Sequence, residues 1–124
     1  MTDHSHMVSV VQSYIEGFDR CDSKALVQLF ADDATVEDPV GSTPLVGRAA
    51  IQEFYLKAAA NKAKLTLAGP IRSAANFAAF PFECRFIFNG AYCRFDIIDI
   101  FRFDEHGKIK GMQAFYGLEN IHKI

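Results

Sequence analysis

Two long strand-forming runs, Phe77 to Phe88 and Ala91 to Phe103, flank the dipeptide Asn89-Gly90. Asn-Gly suits the positive φ angles of a type I′ turn, so the runs fold back on each other as a β-hairpin whose register the turn sets. Phe88 then faces Ala91, Phe80 faces Asp99, Phe82 faces Ile97 and Cys84 faces Phe95. A loop from Asp104 to Gly107 brings in a last strand, Lys108 to Tyr116, which sets Met112 opposite Asp99, Ala114 opposite Ile97 and Tyr116 opposite Phe95. Strand side chains alternate between faces. One face therefore collects Phe80, Phe82, Cys84, Phe86, Phe95, Ile97, Asp99, Phe101, Met112, Ala114 and Tyr116. The other carries Glu83, Arg85, Ile87, Arg94, Asp96, Ile98, Ile100 and Arg102, a mixture that suits a subunit interface better than plain solvent exposure.

The N-terminal half reads as helical. Met7, Val10, Val11, Tyr14, Ile15 and Phe18 lie on one stripe of a helix from Ser5 to Asp19. Asp22 caps a second, Ser23 to Ala31, with Leu26, Leu29 and Phe30 inward. A short strand, Ala34 to Asp38, stops at Pro39, which has no N–H to continue a ladder. After the turn-rich stretch Gly41 to Gly47 comes a third helix, Arg48 to Ala60, and from Lys64 onward the pattern is strand. Helices first and antiparallel strands after predict an α+β fold with the helices on one face of the sheet.

The chain of 124 residues is read as one domain, 1–124, with 50% hydrophobic residues and 12 Phe for its core. Its 13 Lys plus Arg against 15 Asp plus Glu leave no basic stripe for a nucleic acid. Cys21, Cys84 and Cys93 lack metal-ligand spacing and read as free thiols in a reducing cytosol. With no signal peptide and no membrane span in the sequence, the expected location is cytoplasmic. No P-loop, GxGxxG or metal motif is present, so neither cofactor nor metal is expected.

Asp99 is the anomaly: a carboxyl group central to an apolar face, with no Lys or Arg opposite it. Burying an unpaired carboxylate is so unfavourable that the group takes up a proton and becomes a hydrogen-bond donor. A core Asp satisfied by backbone or a buried water would leave the same pattern. Asp38 shares strand parity with Val36 and Val40 and so faces the core; the alternative is an ordinary strand-end turn Asp. Tyr14 sits mid-stripe on the first helix, where a buried phenol needs a partner or is simply an amphipathic core residue. Together they describe an apolar cavity with two donors and one acceptor. Two donors converging on one oxygen form an oxyanion hole, and a nearby carboxylate moves a proton on the adjacent carbon. His4, His6, His106 and His122 lie at the chain end or in turns, and no nucleophile-base pair is evident.

The stretch Leu29-Phe30-Ala31-Asp32-Asp33-Ala34-Thr35-Val36-Glu37-Asp38-Pro39-Val40-Gly41 closely resembles the base-bearing segment of the bacterial steroid Δ5-3-ketoisomerases, and Ile98-Asp99-Ile100-Phe101-Arg102-Phe103 resembles their acid-bearing strand. The resemblance runs from the helix holding Tyr14 through Asn120-Ile121-His122. It implies a curved, mainly antiparallel sheet in the cone-shaped fold of nuclear-transport-factor-like proteins, with an apolar pocket and homodimers formed through the outer sheet face. It makes Asp38 the base that carries a proton from carbon 4 to carbon 6 of a 3-oxo-Δ5-steroid, while Tyr14 and protonated Asp99 donate to the oxygen on carbon 3. Tyr55 matches a position that supports the catalytic Tyr. Members of this family are themselves the standard instance of a carboxylic acid kept neutral by an apolar site, so the logic for Asp99 is not independent of the resemblance.

The expected steroid-binding residues are Val40, Phe54, Tyr55, Phe80, Phe82, Phe86, Phe95, Ile97, Phe101, Met112 and Tyr116. Two positions depart from the pattern. Phe30 stands where some members have a further Tyr, which shortens the hydrogen-bond network to Tyr14 and Tyr55. Tyr116 stands where compared members have Phe or Trp. The competing readings are a non-catalytic carrier of apolar ligands, which explains the Phe-rich face but not the acid, base and phenol within it, and another enzyme of the same fold, polyketide cyclase-like or epoxide hydrolase-like. An epoxide hydrolase would want a polar, water-positioning cluster of Asp, Arg and Asn that this face lacks.

Overall fold

The computed structural model describes residues 2–124. It opens with α1 (His4–Asp19) and α2 (Ser23–Gln28), continues through β1 (Phe30–Glu37), β2 (Leu45–Val46) and α3 (Arg48–Ala60), and then runs as strand. The strands are β3 (Lys64–Leu67), β4 (Arg72–Ala74), β5 (Phe77–Phe88), β6 (Ala91–Phe103), β7 (Ile109–Phe115) and β8 (Ile121–Lys123), with one 3-10 turn at Leu118–Asn120. The helices pack on one open mixed sheet of order β2-β1-β7-β6-β5-β3, with β4 paired to β5 and β8 to β6. Only the β1–β7 ladder is parallel among these pairs; the rest are antiparallel.

The central hairpin has the register read from its turn. Phe88 pairs with Ala91 and Phe80 with Asp99, and Asn89 and Gly90 take φ values of 51° and 79°, the left-handed pair that a type I′ turn demands. The face of Phe80, Phe82, Cys84, Phe95, Ile97, Asp99 and Phe101 is buried against the helices.

The β6–β7 register differs from the sequence expectation. Asp99 lies opposite Ala114, not Met112, and Phe101 lies opposite Met112. The loop is one residue longer than expected, because the Asp104 carboxylate accepts from the amides of His106 (2.8 Å) and Lys108 (2.9 Å) and holds Lys108 outside the ladder. An irregularity in β7 between Ile109 and Gly111 then adds a second one-residue shift. Each shift alone would flip the faces, but two restore them, so Met112 and Ala114 remain on the side of Asp99. β7 ends before Tyr116, and Phe95 pairs with Ile121 of β8 instead.

The second helix is shorter than its periodicity predicts. It ends at Gln28, and Phe30 already pairs with Ile109. The Leu29 carbonyl accepts from Ile109 N at 2.9 Å, and Arg48 donates to the Phe30 carbonyl at 2.8 Å. Leu26, Leu29 and Phe30 are inward in either geometry, and the pairing with a strand eighty residues away in sequence, on the order of the chain's own length, decides between them.

Two local devices set α1 over the sheet. At Gly17 an added Cβ would fall 2.7 Å from a Leu26 methyl, so only glycine lets α2 approach this closely. At the end of α1 the Lys64 ammonium donates to the carbonyls of Phe18 (3.1 Å) and Asp19 (2.7 Å), placing a cation on the negative end of the helix.

Candidate active site

A cavity of about 300 Å³ opens between α1, the C-terminal half of α3 and the inner face of β5 and β6. Its size falls at the lower end of small-molecule sites. Tyr14, Asp38 and Asp99 all line it. Their convergence from α1, the end of β1 and the middle of β6 brings together three groups far apart in sequence.

Asp99 is 1% exposed, and its Oδ1 has no hydrogen-bond partner. Phe80 and Ala114 occupy the facing positions on the neighbouring strands. Burial, reinforced by the charge on Asp38, pushes the Asp99 carboxyl well above the usual carboxylate range. A protonated acid with an orphan oxygen beside an empty space has an unused hydrogen-bonding capacity directed at whatever fills that space.

Tyr14 is fully packed. Its ring meets Phe18 and Phe101 edge-on at centroid distances of 5.1 Å, and Phe80 at 6.4 Å. Its hydroxyl lies 2.9 Å from that of Tyr55, a completely buried residue of α3. Phe30 takes the other side of Tyr55, with centroids 5.6 Å apart, so the phenol network is limited to two members there. Burial pushes both phenols above their ordinary values, keeping them neutral donors.

Asp38 follows Ala34 and Val36, two of the buried positions of β1, and shares their side of the strand. Its carboxyl is raised from 3.8 to about 6 by burial, against an opposing hydrogen bond from Tyr116. A carboxylate with this value is mostly ionised at neutral pH yet more basic than an exposed one. Proton acceptor and neutral donors thus coexist in one apolar space.

The remaining residues named from sequence divide in two. Phe54, Phe82, Phe86, Phe95, Ile97 and Tyr116 line the cavity. Tyr55, Phe80, Phe101 and Met112 are buried behind it, and Val40 is 39% exposed beyond the end of β1. Phe80 and Phe101 pack on Tyr14 and on each other, 5.1 Å between centroids, so they wall off the donors and leave the open space to others.

Sequence reasoning missed Phe18, Lys57, Ala58, Asn61, Ala63, Leu65 and Phe88 in the lining, and placed Cys84 on the right face without assigning it to the site. The signal for several was present. Phe18 lies one turn beyond Tyr14, and Phe54, Lys57, Ala58 and Asn61 follow the i, i+3, i+4, i+7 spacing of one helical face. Leu65 pairs with Cys84 across β3 and β5, which only the tertiary fold reveals. Lys57 and Asn61 are exposed, so they mark the mouth, while Asp99 and Tyr14 lie at the floor.

Comparison with known proteins bears on this arrangement. Residues 11–112 match the model of the SnoaL-like domain. A Steroid Delta-isomerase from Nocardioides simplex is 36% identical over 108 residues, covering 87% of either chain. The solved structure of SalBIII, an epoxide hydrolase/cyclase-like enzyme described for its role in pyran ring formation in the polyether salinomycin, is similar with a TM-score of 0.93 at 25% identity over 100% of both chains. The chain belongs to the SnoaL-like domain family, and within it is a ketosteroid isomerase-like protein.

Proposed function

We propose that this chain isomerises 3-oxo-Δ5-steroids to 3-oxo-Δ4-steroids without a cofactor. The observation that carries the reading is the buried, partnerless Asp99 oxygen at the floor of an apolar cavity that also takes in Tyr14 and Asp38. The isomerase relative supports the substrate class. Asp38 removes the proton on carbon 4, and the electron pair delocalises through the adjacent carbonyl and the C5–C6 double bond as a dienolate. Its negative charge gathers on the carbon 3 oxygen. Tyr14, accepting from Tyr55, and neutral Asp99 donate to that oxygen. Asp38 then returns the proton to carbon 6, leaving the double bond between carbons 4 and 5.

The donors lie in water-excluded surroundings and are already ordered, so they stabilise the developing charge without reorganising. Each is worth on the order of a hundredfold in turnover. Phe82, Phe86, Phe95 and Ile97 offer the flat apolar ring system its walls. The groups come from both halves of the chain, and we treat 1–124 as one domain acting as a unit.

The experiment is a time course with a 3-oxo-Δ5-steroid, whose conjugated product absorbs in the ultraviolet. Growth of that absorbance above the buffer rate, without added cofactor, is the expected result. A folded sample that binds steroid without product formation is a carrier. The likeness to SalBIII favours a second reading, acid-assisted ring opening or closure of an epoxide by the same carboxyl groups; turnover of an epoxide substrate without steroid isomerisation would decide for it.

For the outer sheet face we propose a second copy of the chain. Arg94 pairs with Glu83 (3.7 Å) and Asp96 (3.1 Å), and Arg85 with Glu83 (3.2 Å), so the charges there are internally compensated beside exposed Ile98, Tyr92 and Phe115. Among the described residues no helix is long and apolar enough to cross a membrane. A cytoplasmic location agrees with the free thiols Cys21, Cys84 and Cys93.

A further inference from the structure

The Asp38 carboxylate has a phenolic neighbour, Tyr116, to which the proton transfer above gives no role. Backbone pairing brings the two together. β1 and β7 run parallel, with Val36 opposite Met112 and Glu37 opposite Gln113. Just beyond, the Val40 amide donates to the Ala114 carbonyl at 2.8 Å. Asp38 therefore leaves β1 level with the end of β7, and Tyr116 follows Ala114 by two residues. Both side chains line the cavity. The Tyr116 ring packs on Phe95 with centroids 5.2 Å apart, which anchors the half-buried phenol beside the carboxylate.

We infer that Tyr116 is a positioning residue for the base: its hydroxyl donates to one Asp38 oxygen and leaves the other free to face the ligand. The inference rests on the reading of Asp38 as the base. A carboxylate at the end of a strand is free to turn about its side-chain bonds, and a single fixed donor removes much of that freedom before the substrate arrives. Burial and the Asp38 charge both push the Tyr116 phenol up, so it keeps its proton and acts as the donor of the pair.

The titratable groups around Asp38 are Tyr14 from α1, Tyr55 from α3, Cys84 from β5, Asp99 from β6 and Tyr116 from the segment after β7. Lys57, the cation on the cavity rim, is paired with Glu53 at 3.5 Å. Of these groups, Tyr116 is the one whose hydroxyl is placed to donate to Asp38 and favour its charged form, while burial favours the neutral one. The phenol therefore adjusts base strength as well as aim.

Tyr116→Phe keeps the ring and its Phe95 contact and removes the donor. The measurements are the carboxyl-carbon NMR titration of Asp38 in ligand-free protein and the pH profile of kcat/KM for the isomerisation. We expect the Asp38 midpoint to move up from about 6 by roughly one pH unit. The acid limb of kcat/KM moves with it, so the rate at pH values near that limb falls several-fold while KM changes little. An unchanged or lowered Asp38 midpoint overturns the contact, and a shifted midpoint with an unmoved acid limb overturns the positioning role. A wild-type protein that shows the titration but no isomerisation overturns the isomerase reading and leaves the Tyr116 contact standing.

Discussion

Replacing Asp38 with Asn should make the protein inactive and, above neutral pH, more stable. Burial raises the Asp38 carboxyl from 3.8 to about 6 in the folded chain. A carboxyl group with a raised folded pKa binds its proton more tightly when folded than when unfolded. Its contribution is therefore intact below pH 3.8, is lost as the pH rises towards about 6, and stays lost above that. A difference of this size corresponds to about 3 kcal/mol. Asn does not titrate, and its amide oxygen can still accept from Tyr116, so the variant escapes the loss. Urea unfolding of both proteins from acid to alkaline pH measures it, with equal m-values required for the comparison. The variant should gain on the wild type through the interval between the two pKa values and hold an advantage of up to about 3 kcal/mol beyond it, or roughly 10 °C in Tm. Titrating groups away from the site are common to both chains and cancel, whereas Asp99, Tyr116 and Cys84 lose in the variant the part of their upward shift that the Asp38 charge supplies. A stability difference that does not vary with pH, or a wild type that is the more stable at alkaline pH, would refute the placement of Asp38 in a desolvated site.

Asp99→Leu removes an orphan oxygen from the same cavity; it should raise stability by about 1–3 kcal/mol while turnover falls about a hundredfold, read by unfolding and by kcat. Phe101→Ala should cost about 3–5 kcal/mol because that ring is fully buried behind Tyr14, whereas Phe82→Ala enlarges a space that is already open and should act more on KM than on stability. Burial, helped by the Asp38 charge, pushes the Cys84 thiol up to about 12, so titration with an aromatic disulfide at mildly alkaline pH should modify exposed Cys21 and spare Cys84 until the protein is unfolded.

Local rules account for much of this fold. The Asn89-Gly90 turn and strand alternation suffice to pair Phe80 with Asp99, and the bounds of α3 coincide with its periodic run, Arg48 to Ala60. Where distant backbone or a side chain bonded into its own loop intervenes, spacing and alternation alone fail. Leu29 and Phe30 leave the helix their spacing favours because Ile109 offers a ladder, and the β6–β7 register slips twice because Asp104 tightens its loop around Lys108 and β7 bulges after Ile109. Met112 and Ala114 stay on the side of Asp99 only because the two slips add to an even shift.

The site divides along the same line. Residue type and alternation alone identified an acid on an apolar face, a carboxylate ahead of a proline and a phenol on a helical stripe, since each is a conflict between a polar group and its immediate neighbours that the sequence records directly. Which aromatic rings line the open space and which merely close it off is a matter of three-dimensional packing. Phe80 and Phe82 share one strand face, yet Phe82 meets the cavity and Phe80 lies beneath Tyr14. The meeting of Tyr116 with Asp38 likewise depends on a parallel ladder between strands from opposite ends of the chain, a long-range pairing that no local pattern encodes.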